Sequence, residues 1–315
     1  MQNQKGKTQA KEKIDIKKIA IVLCLIVFII LTLLYIFDKS FYNKIKVFTF
    51  FKLKDSNISN AELSVHFIDV GQGDCCLIIN KDKTVLVDTG DSVYSRKVKD
   101  YINAQNIDKL DYIIITHLHS DHAGGLFDII SYFNPSEIII DTDVSDTDEH
   151  IDIDRLFSIT NKGNITVLNP SQCKEIILPS ANIEIFSTLS SSENLNEKSA
   201  VVKLTHKSNT FLLTGDIEEK GEKELADSSY DIDCDVLKVA HHGSSTSSGK
   251  TFLNKVSPNF CVISCGYDNT FNHPSEKTIS ALKSYTDNIF RTDLLGNIMF
   301  ESDGTNLKYY FEKSD

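Results

Sequence analysis

The 315-residue sequence predicts an α/β protein in which two β-sheets pack face to face with helices on their outer sides, preceded by one transmembrane helix. Three observations carry this. Apolar segments of strand length cluster in both halves of the chain and alternate with helix-like segments. One run of 19 residues, Ile19 to Phe37, contains no charge, Gly or Pro. The composition, 41% hydrophobic and 24% charged, supplies a large buried core and excludes a disordered or disulfide-stapled chain.

As a helix the run from Ile19 to Phe37 spans roughly 28 Å at about 1.5 Å per residue, one bilayer crossing. It ends Tyr35-Ile36-Phe37-Asp38 rather than in the small residues of a cleavage site, which predicts an uncleaved anchor in the cell membrane. Six lysines precede it (Lys5 to Lys18) and five follow (Lys39 to Lys54), a slight bias that places the amino terminus inside and the large domain outside the cell. The organisation expected is a basic tail over 1–18, the anchor over 19–37, a linker over 38–61 and a folded domain over 62–315. Residues 55 to 315 carry 22 Lys/Arg against 41 Asp/Glu, which excludes a basic nucleic-acid footprint. Metal ions in a cleft would supply positive charge locally. The seven cysteines show no CxxC spacing and read as buried thiols.

Leu63 to Asp69, Cys75 to Ile79 and Thr84 to Asp88 read as an antiparallel meander, with Gly71-Gln72-Gly73 as its first turn. Tyr94 to Ala104 has a helical period, Tyr112 to Thr116 is a buried strand and Ala123 to Tyr132 a helix. Strands follow at Glu137 to Ile140, Ile165 to Leu168, Ile183 to Phe186, Val201 to Thr205 and Thr210 to Thr214, then a helix at Glu218 to Ala226. Val236 to Val239, Phe260 to Ser264, a helix after Pro274 and strands around Ile298 and Tyr309 finish the chain. The acidic stretch 141–154 lacks the Gly and the closing Glu of a calcium loop and reads as a solvated loop. Gly243 to Gly249, with five Ser or Thr, is a flexible loop beside two histidines.

The sharpest signal is Thr116-His117-Leu118-His119-Ser120-Asp121-His122-Ala123-Gly124-Gly125, directly after a core strand. His117 and His119 lie two apart on extended chain and project to one side, while Asp121 and His122 open the following helix. Neutral imidazoles and a carboxylate suit two adjacent divalent ions such as zinc. Gly215-Asp216 ends another apolar strand; this Asp is placed either to bridge two metals or to cap the helix that follows. Ala240-His241-His242-Gly243-Ser244 ends a third. Five of the nine histidines fall into two strand-end motifs. Asp69, Asp74 and Asp88 stand at turns, where they either brace ligating histidines or serve the turn itself. His66 and His206 read as structural.

The ordered series His66-Phe67-Ile68-Asp69-Val70-Gly71-Gln72-Gly73-Asp74, Val87-Asp88-Thr89-Gly90, the HxHxDH run, Thr214-Gly215-Asp216 and Lys238-Val239-Ala240-His241-His242-Gly243-Ser244 resembles the metallo-β-lactamase superfamily. Within it, together with Asn272-His273-Pro274 and Arg291-Thr292-Asp293, it looks most like the carboxyl-terminal hydrolase domain of the ComEC competence proteins, over about residues 62 to 311. The resemblance implies an αββα sandwich with a dinuclear centre of zinc, or of manganese, at one edge. It puts His117 and His119 on the first metal, Asp121 and His122 on the second, and Asp216 between them, with His241 as the last ligand of the second. His242, expected on the opposite side of its strand, is left to contact substrate. The family pattern has a further His after the strand that here ends in Asp141-Thr142-Asp143; Asp141, Asp143, His150 or water stands in its place.

The activity implied is hydrolysis of a phosphodiester, single-stranded DNA among the candidates, with Asp121 orienting a metal-acidified water and His242 or His273 near the leaving group. Two other readings follow from the same residues. One is hydrolysis of a cell-envelope phosphoester or another ester outside the cell, which the acidic domain favours over bulk DNA. The other is a DNA-uptake component that positions a strand without cleaving it.

Overall fold

The computed structural model describes residues 16–37, 61–142, 151–187 and 192–313. Contacts divide the chain into two units, Met1–Lys46 and Val47–Asp315. The first contains helix α1, Ile16–Phe37. Its side chains are described from 23 to 33, and the large apolar ones among them, Leu23 to Ile30 and Leu33, are exposed. Among the described residues no helix is long and apolar enough to cross a membrane.

The second unit holds two sheets. Its elements run β1 (Leu63–Phe67), β2 (Cys76–Asn80), β3 (Lys83–Val87), α2 (Ser95–Ala104), β4 (Tyr112–Ile114), α3 (Ser120–Ala123), α4 (Leu126–Phe133), β5 (Glu137–Ile139), α5 (Ile153–Gly163) and β6 (Thr166–Leu168). Then follow β7 (Glu175–Ile177), β8 (Asn182–Ser187), β9 (Ala200–His206), β10 (Asn209–Leu213), α6 (Glu219–Asp227), β11 (Val236–Lys238), α7 (Lys250–Val256), β12 (Phe260–Ile263), α8 (Glu276–Leu282), β13 (Ile289–Arg291), α9 (Thr292–Leu295), β14 (Ile298–Ser302) and β15 (Leu307–Phe311). One sheet has the order β15-β14-β1-β2-β3-β4-β5-β6 and the other β13-β12-β11-β10-β9-β8-β7.

The two-residue period of the strands builds three apolar layers. Val65, Phe67, Ile78 and Val85 of one sheet meet Val202, Leu204, Phe211 and Val236 of the other. Leu77, Leu86 and Ile113 face outward and join Val98, Ile102, Ile129 and Phe133 of α2 and α4. Leu212 and Leu237 face outward on the other side, with Leu225, Phe252, Leu253 and Leu282. Full burial of each such side chain stabilises by about 1.5–3 kcal/mol, so the middle layer alone commits the sheets to face each other. This is the αββα arrangement expected. The expected meander is present as β1–β2–β3, antiparallel throughout.

The structure adds α5, β7, α7 and β13, which the apolar period did not single out. β7 and β13 are three-residue edge strands, and α7 presents only Phe252, Leu253 and Val256 to the core. These three are too short to leave a readable pattern, and α5 buries only Leu156 and Thr160.

Two parallel blocks place the chemistry. β3, β4, β5 and β6 run parallel, as do β10, β11 and β12, so within each block the carboxyl ends share one edge. Asp88, His117 and Asp141 follow the ends of the first block, and Asp216 and His242 those of the second. Carboxyl ends of parallel strands are where α/β proteins bind ligands.

Candidate metal centre

The HxHxDH segment leaves β4 in extended conformation and turns into α3 at His119, whose carbonyl accepts the amides of His122 and Ala123. His117 Nε2 and His119 Nδ1 converge to 3.0 Å. The far nitrogen of His117 is held by Thr116 Oγ1 at 3.2 Å and Ser199 Oγ at 3.3 Å. The segment is clamped from outside: Thr89 donates its amide and its hydroxyl to the His122 carbonyl, and Asp74 its amide to the Asp121 carbonyl. Gly73 is required for the second clamp. Its φ is +140°, and a Cβ there would lie 2.4 Å from the Asp121 carbonyl oxygen.

Asp88 is the keystone of this loop. It accepts the Thr116 amide and hydroxyl, each at 2.8 Å, and lies 2.8 Å from His122 Nδ1. That contact keeps the proton on Nδ1 and aims the bare Nε2 at Asp216 Oδ1, 3.2 Å away. Asp88 therefore braces the His122 ring rather than serving a turn. Since its φ is +60°, a conformation Asn tolerates, Asp88→Asn should keep the backbone while weakening metal binding by about 10–100-fold. A chelator competition would measure this; unchanged affinity would remove Asp88 from the centre.

From the other sheet, β10 delivers Asp216 and β11 the histidine pair. Asp121, His122, Asp216 and His242 offer ligand atoms all within 4.8 Å of one another. Among the described residues the pair contributes His242 to this group, and His241, the ring expected as the last ligand, lies outside it. The reason is backbone conformation. His241, His242 and Gly243 have φ of 51°, 52° and 81°, so strand alternation has ended before the pair is reached. His242 Nδ1 donates to the Ser264 carbonyl at 2.9 Å, and its Nε2 faces Asp121 Oδ2 at 3.1 Å and Asp216 Oδ2 at 3.3 Å. His241 is less buried and turns to Glu218 Oε1 at 3.2 Å, with Asp216 Oδ2 4.0 Å from its Nε2. Two left-handed non-glycine residues in succession cost roughly 1–2 kcal/mol each, strain held where the donors converge.

The donor set fits the divalent ions that the fold family implies. His122 Nε2 and Asp216 Oδ1 are buried and make no hydrogen bond. Two imidazoles whose other nitrogens are already engaged present lone pairs to two carboxylates, an arrangement that a cation reconciles. The same carboxylates also draw positive charge onto the rings. Burial would depress His242, yet Asp216 and Asp121 push it up to about 10. Burial would raise Asp216, yet His122 and His242 hold it well below the usual carboxylate range. His117, by contrast, is driven well down by burial and the neighbouring His122, and stays a neutral donor.

Sequence reasoning missed Lys238. It is buried, its Nζ pairs with Asp74 and donates to the Gly215 carbonyl at 3.0 Å, and Asp216 Oδ1 is 3.7 Å away. Burial works against the ammonium, but Asp74 and Asp216 raise its pKa. A lone Lys at the end of an apolar strand was the available signal.

The remaining residues divide clearly. Asp74 joins Asp88 and His122 in a second buried group of ligand-capable atoms. Asp69 instead accepts the Gly71 amide and pairs with Lys97, the turn chemistry of its alternative reading. Asp141 accepts from Asn169 Nδ2 at 2.9 Å, joining the ends of β5 and β6, and is in neither ligand-capable group among the described residues. Asp143 and His150 lie outside the described residues. His273 stacks on His242 at 6.5 Å and on Phe271 at 5.8 Å, and its buried Nδ1 makes no hydrogen bond. His66 is buried against Tyr101 and Ser64, and His206 against Ser302, both structural as expected.

The serine-rich loop beside the centre is pinned by Glu222 of α6, which accepts the amides of Ser248 at 2.5 Å and Gly249 at 2.7 Å. Burial pushes this carboxyl up to about 7 from 4.5 despite those amides. The folded chain holds the proton more tightly than the unfolded one. The group's contribution to stability is therefore full below about 4.5 and is lost as pH rises through about 7. Melting temperatures between pH 5 and 8 should fall less steeply in Glu222→Gln than in the wild type, and parallel curves would refute this.

Residues 68–178 match the metallo-beta-lactamase superfamily, and the chain carries a metallo-beta-lactamase domain. Among its relatives are proteins of the ComEC family. It is 26% identical to ComE operon protein 3 of Bacillus subtilis over 76% of this chain and 33% of that protein. It is 28% identical to competence protein ComA of Neisseria gonorrhoeae over 80% and 34%, and 28% identical to Recombination protein 2 of Haemophilus influenzae over 76% and 29%. The chain spans about a third of the length of these relatives. In fold it is similar to the metallo-beta-lactamase fold protein YhfI of Bacillus subtilis, with 15% identity, a TM-score of 0.54, and coverage of 76% of this chain and 100% of that one. Tm1679, titled a metal-dependent hydrolase of the beta-lactamase superfamily, gives 16% identity, a TM-score of 0.51, and coverage of 73% and 95%.

Proposed function

We propose that this protein is a membrane-anchored, metal-dependent phosphodiesterase. The observation that carries the reading is the convergence of donors from the carboxyl ends of strands in both sheets: His117 with His119, and Asp121, His122 and His242 around Asp216. Two adjacent cation positions sharing a carboxylate suit in-line displacement at phosphorus. The competence relatives support a phosphodiester over other esters.

When bound, divalent ions such as zinc or manganese supply Lewis acidity and lower the pKa of water. The chain's own residues do the rest. Asp121, part exposed and with Oδ2 held at His242 Nε2, would orient the attacking water. Asp88 and the Ser264 carbonyl lock His122 and His242 so that their Nε2 atoms point inward. Burial and the neighbouring His241 and His242 lower His273 to about 4, so at neutral pH it is an uncharged ring. It therefore donates an N–H to the leaving oxygen and positions it rather than protonating it. The acidic domain, with 41 Asp/Glu against 22 Lys/Arg, favours short or single-stranded substrates that enter at the metal edge over long duplexes.

Full-length protein reconstituted with zinc or manganese should cleave a generic phosphodiester. His242→Ala should lose that activity with its metal, and His241→Ala should retain the metal. A metal-free preparation with undiminished hydrolysis would overturn the reading. The anchor, supported by the uncharged run Ile19 to Phe37, predicts that protease added to intact cells digests the domain. Protection until lysis would place the domain inside.

A further inference from the structure

His122 presents a different acidic neighbourhood to each ring nitrogen. Nε2 belongs to the group with Asp121, Asp216 and His242. Nδ1 lies 2.8 Å from Asp88 Oδ2 and 3.7 Å from Asp74 Oδ2, and Asp74, Asp88 and His122 form a second group whose ligand atoms all lie within 4.8 Å of one another. All three are buried. By donor chemistry alone either side of the ring suits a divalent cation, and the second side also holds Asp74 Oδ1, a buried oxygen without a hydrogen-bond partner.

That side already contains a cation. Lys238 extends from the end of β11 to pair its Nζ with Asp74 Oδ2, and it donates to the carbonyl of Gly215, the residue before Asp216. Strand, turn and metal-ligand loop are thereby tied to one ammonium. A buried carboxylate is tolerated only with a compensating charge, and a lysine provides one that cannot be exchanged or chelated.

We propose that Lys238 is a built-in cation for the Asp74, Asp88 and His122 group, closing it to divalent ions and directing them to the Nε2 side of His122. The inference rests on the metal-centre reading above and adds what makes that centre selective. With the ammonium in place, Asp88 keeps the Nδ1 proton, Nε2 keeps its lone pair, and Gly215 is held so that Asp216 reaches the same point. Lys238 is a positioning residue, acting through Asp74, Gly215 and His122.

The test uses the full chain in detergent, 15N-labelled at histidine and titrated with Zn2+. In the wild type the ion should shift His122 Nε2 and leave Nδ1 protonated. Lys238→Ala should bind about one further equivalent of Zn2+ and lose the Nδ1 proton, and Lys238→Ala with Asp74→Asn should lose that extra equivalent again. A Lys238→Ala chain that folds only when Zn2+ is present would also support the proposal, the ion replacing the ammonium. Folded Lys238→Ala with wild-type stoichiometry and an unchanged Nδ1 signal would overturn it. So would displacement of the Nδ1 proton by Zn2+ in the wild type, a result that needs no variant to fold. If the wild type bound no metal, the metal-centre reading itself would fall, and this inference with it.

Discussion

Asp216→Ala should cost the protein both metal equivalents and with them its hydrolytic activity, the largest effect expected of a single substitution. Asp216 is 2% exposed, and its two oxygens face different partners: Oδ1 is 3.2 Å from His122 Nε2, and Oδ2 is 3.3 Å from His242 Nε2. Without it the two rings face an apolar methyl and the cation positions lose their common anion. Substitutions that merely disturb a ligand's support weaken metal binding by about 10–100-fold, so loss of the shared ligand should exceed about 100-fold. Metal analysis after gel filtration, beside a chelator competition, measures this. Retention of both equivalents at near wild-type affinity would remove Asp216 from the centre.

The two equivalents should also leave separately. In the proposed centre the first position would rest on His117 and His119, whose inward nitrogens lie 3.0 Å apart and which belong to neither ligand-capable group among the described residues. The second has the carboxylates of Asp121 and Asp216 as well as His122 and His242. Charge and donor number both favour the second. Mild chelation should therefore release one equivalent first, and His117→Ala should lower the stoichiometry by about one while the other ion stays. Release of both ions in a single step, with His117→Ala and Asp216→Ala indistinguishable in metal loss, would contradict this asymmetry.

The sequence alone determined the layered fold and the composition of the site. Leu63, Val65 and Phe67 alternate with Ser64 and His66, and Phe211 and Leu213 with Leu212, so each strand declares which faces it buries. The HxHxDH run after an apolar strand, and an Asp and a His pair at two other strand ends, are local facts of spacing. Parallel pairing of β3 to β6, and of β10 to β12, brings those ends together. What only the tertiary structure decided is which atoms converge. His241 and His242 are chemically identical neighbours, and the left-handed turn that brings His242 rather than His241 into the ligand-capable group is set by packing around Gly243 against Pro274 and by the Ser264 carbonyl. Asp69 and Asp88 each stand at a turn beside glycine. One is drawn to Lys97 and the other to His122, because side-chain partners come from two different helices, α2 and α3. Lys238 stands in the motif before the histidine pair, but its role lies in Asp74, 164 positions earlier, meeting it in the interior. Periodicity is a property of a segment and can be read there; a donor set is a property of a volume, and its members are chosen only when the chain has closed around it.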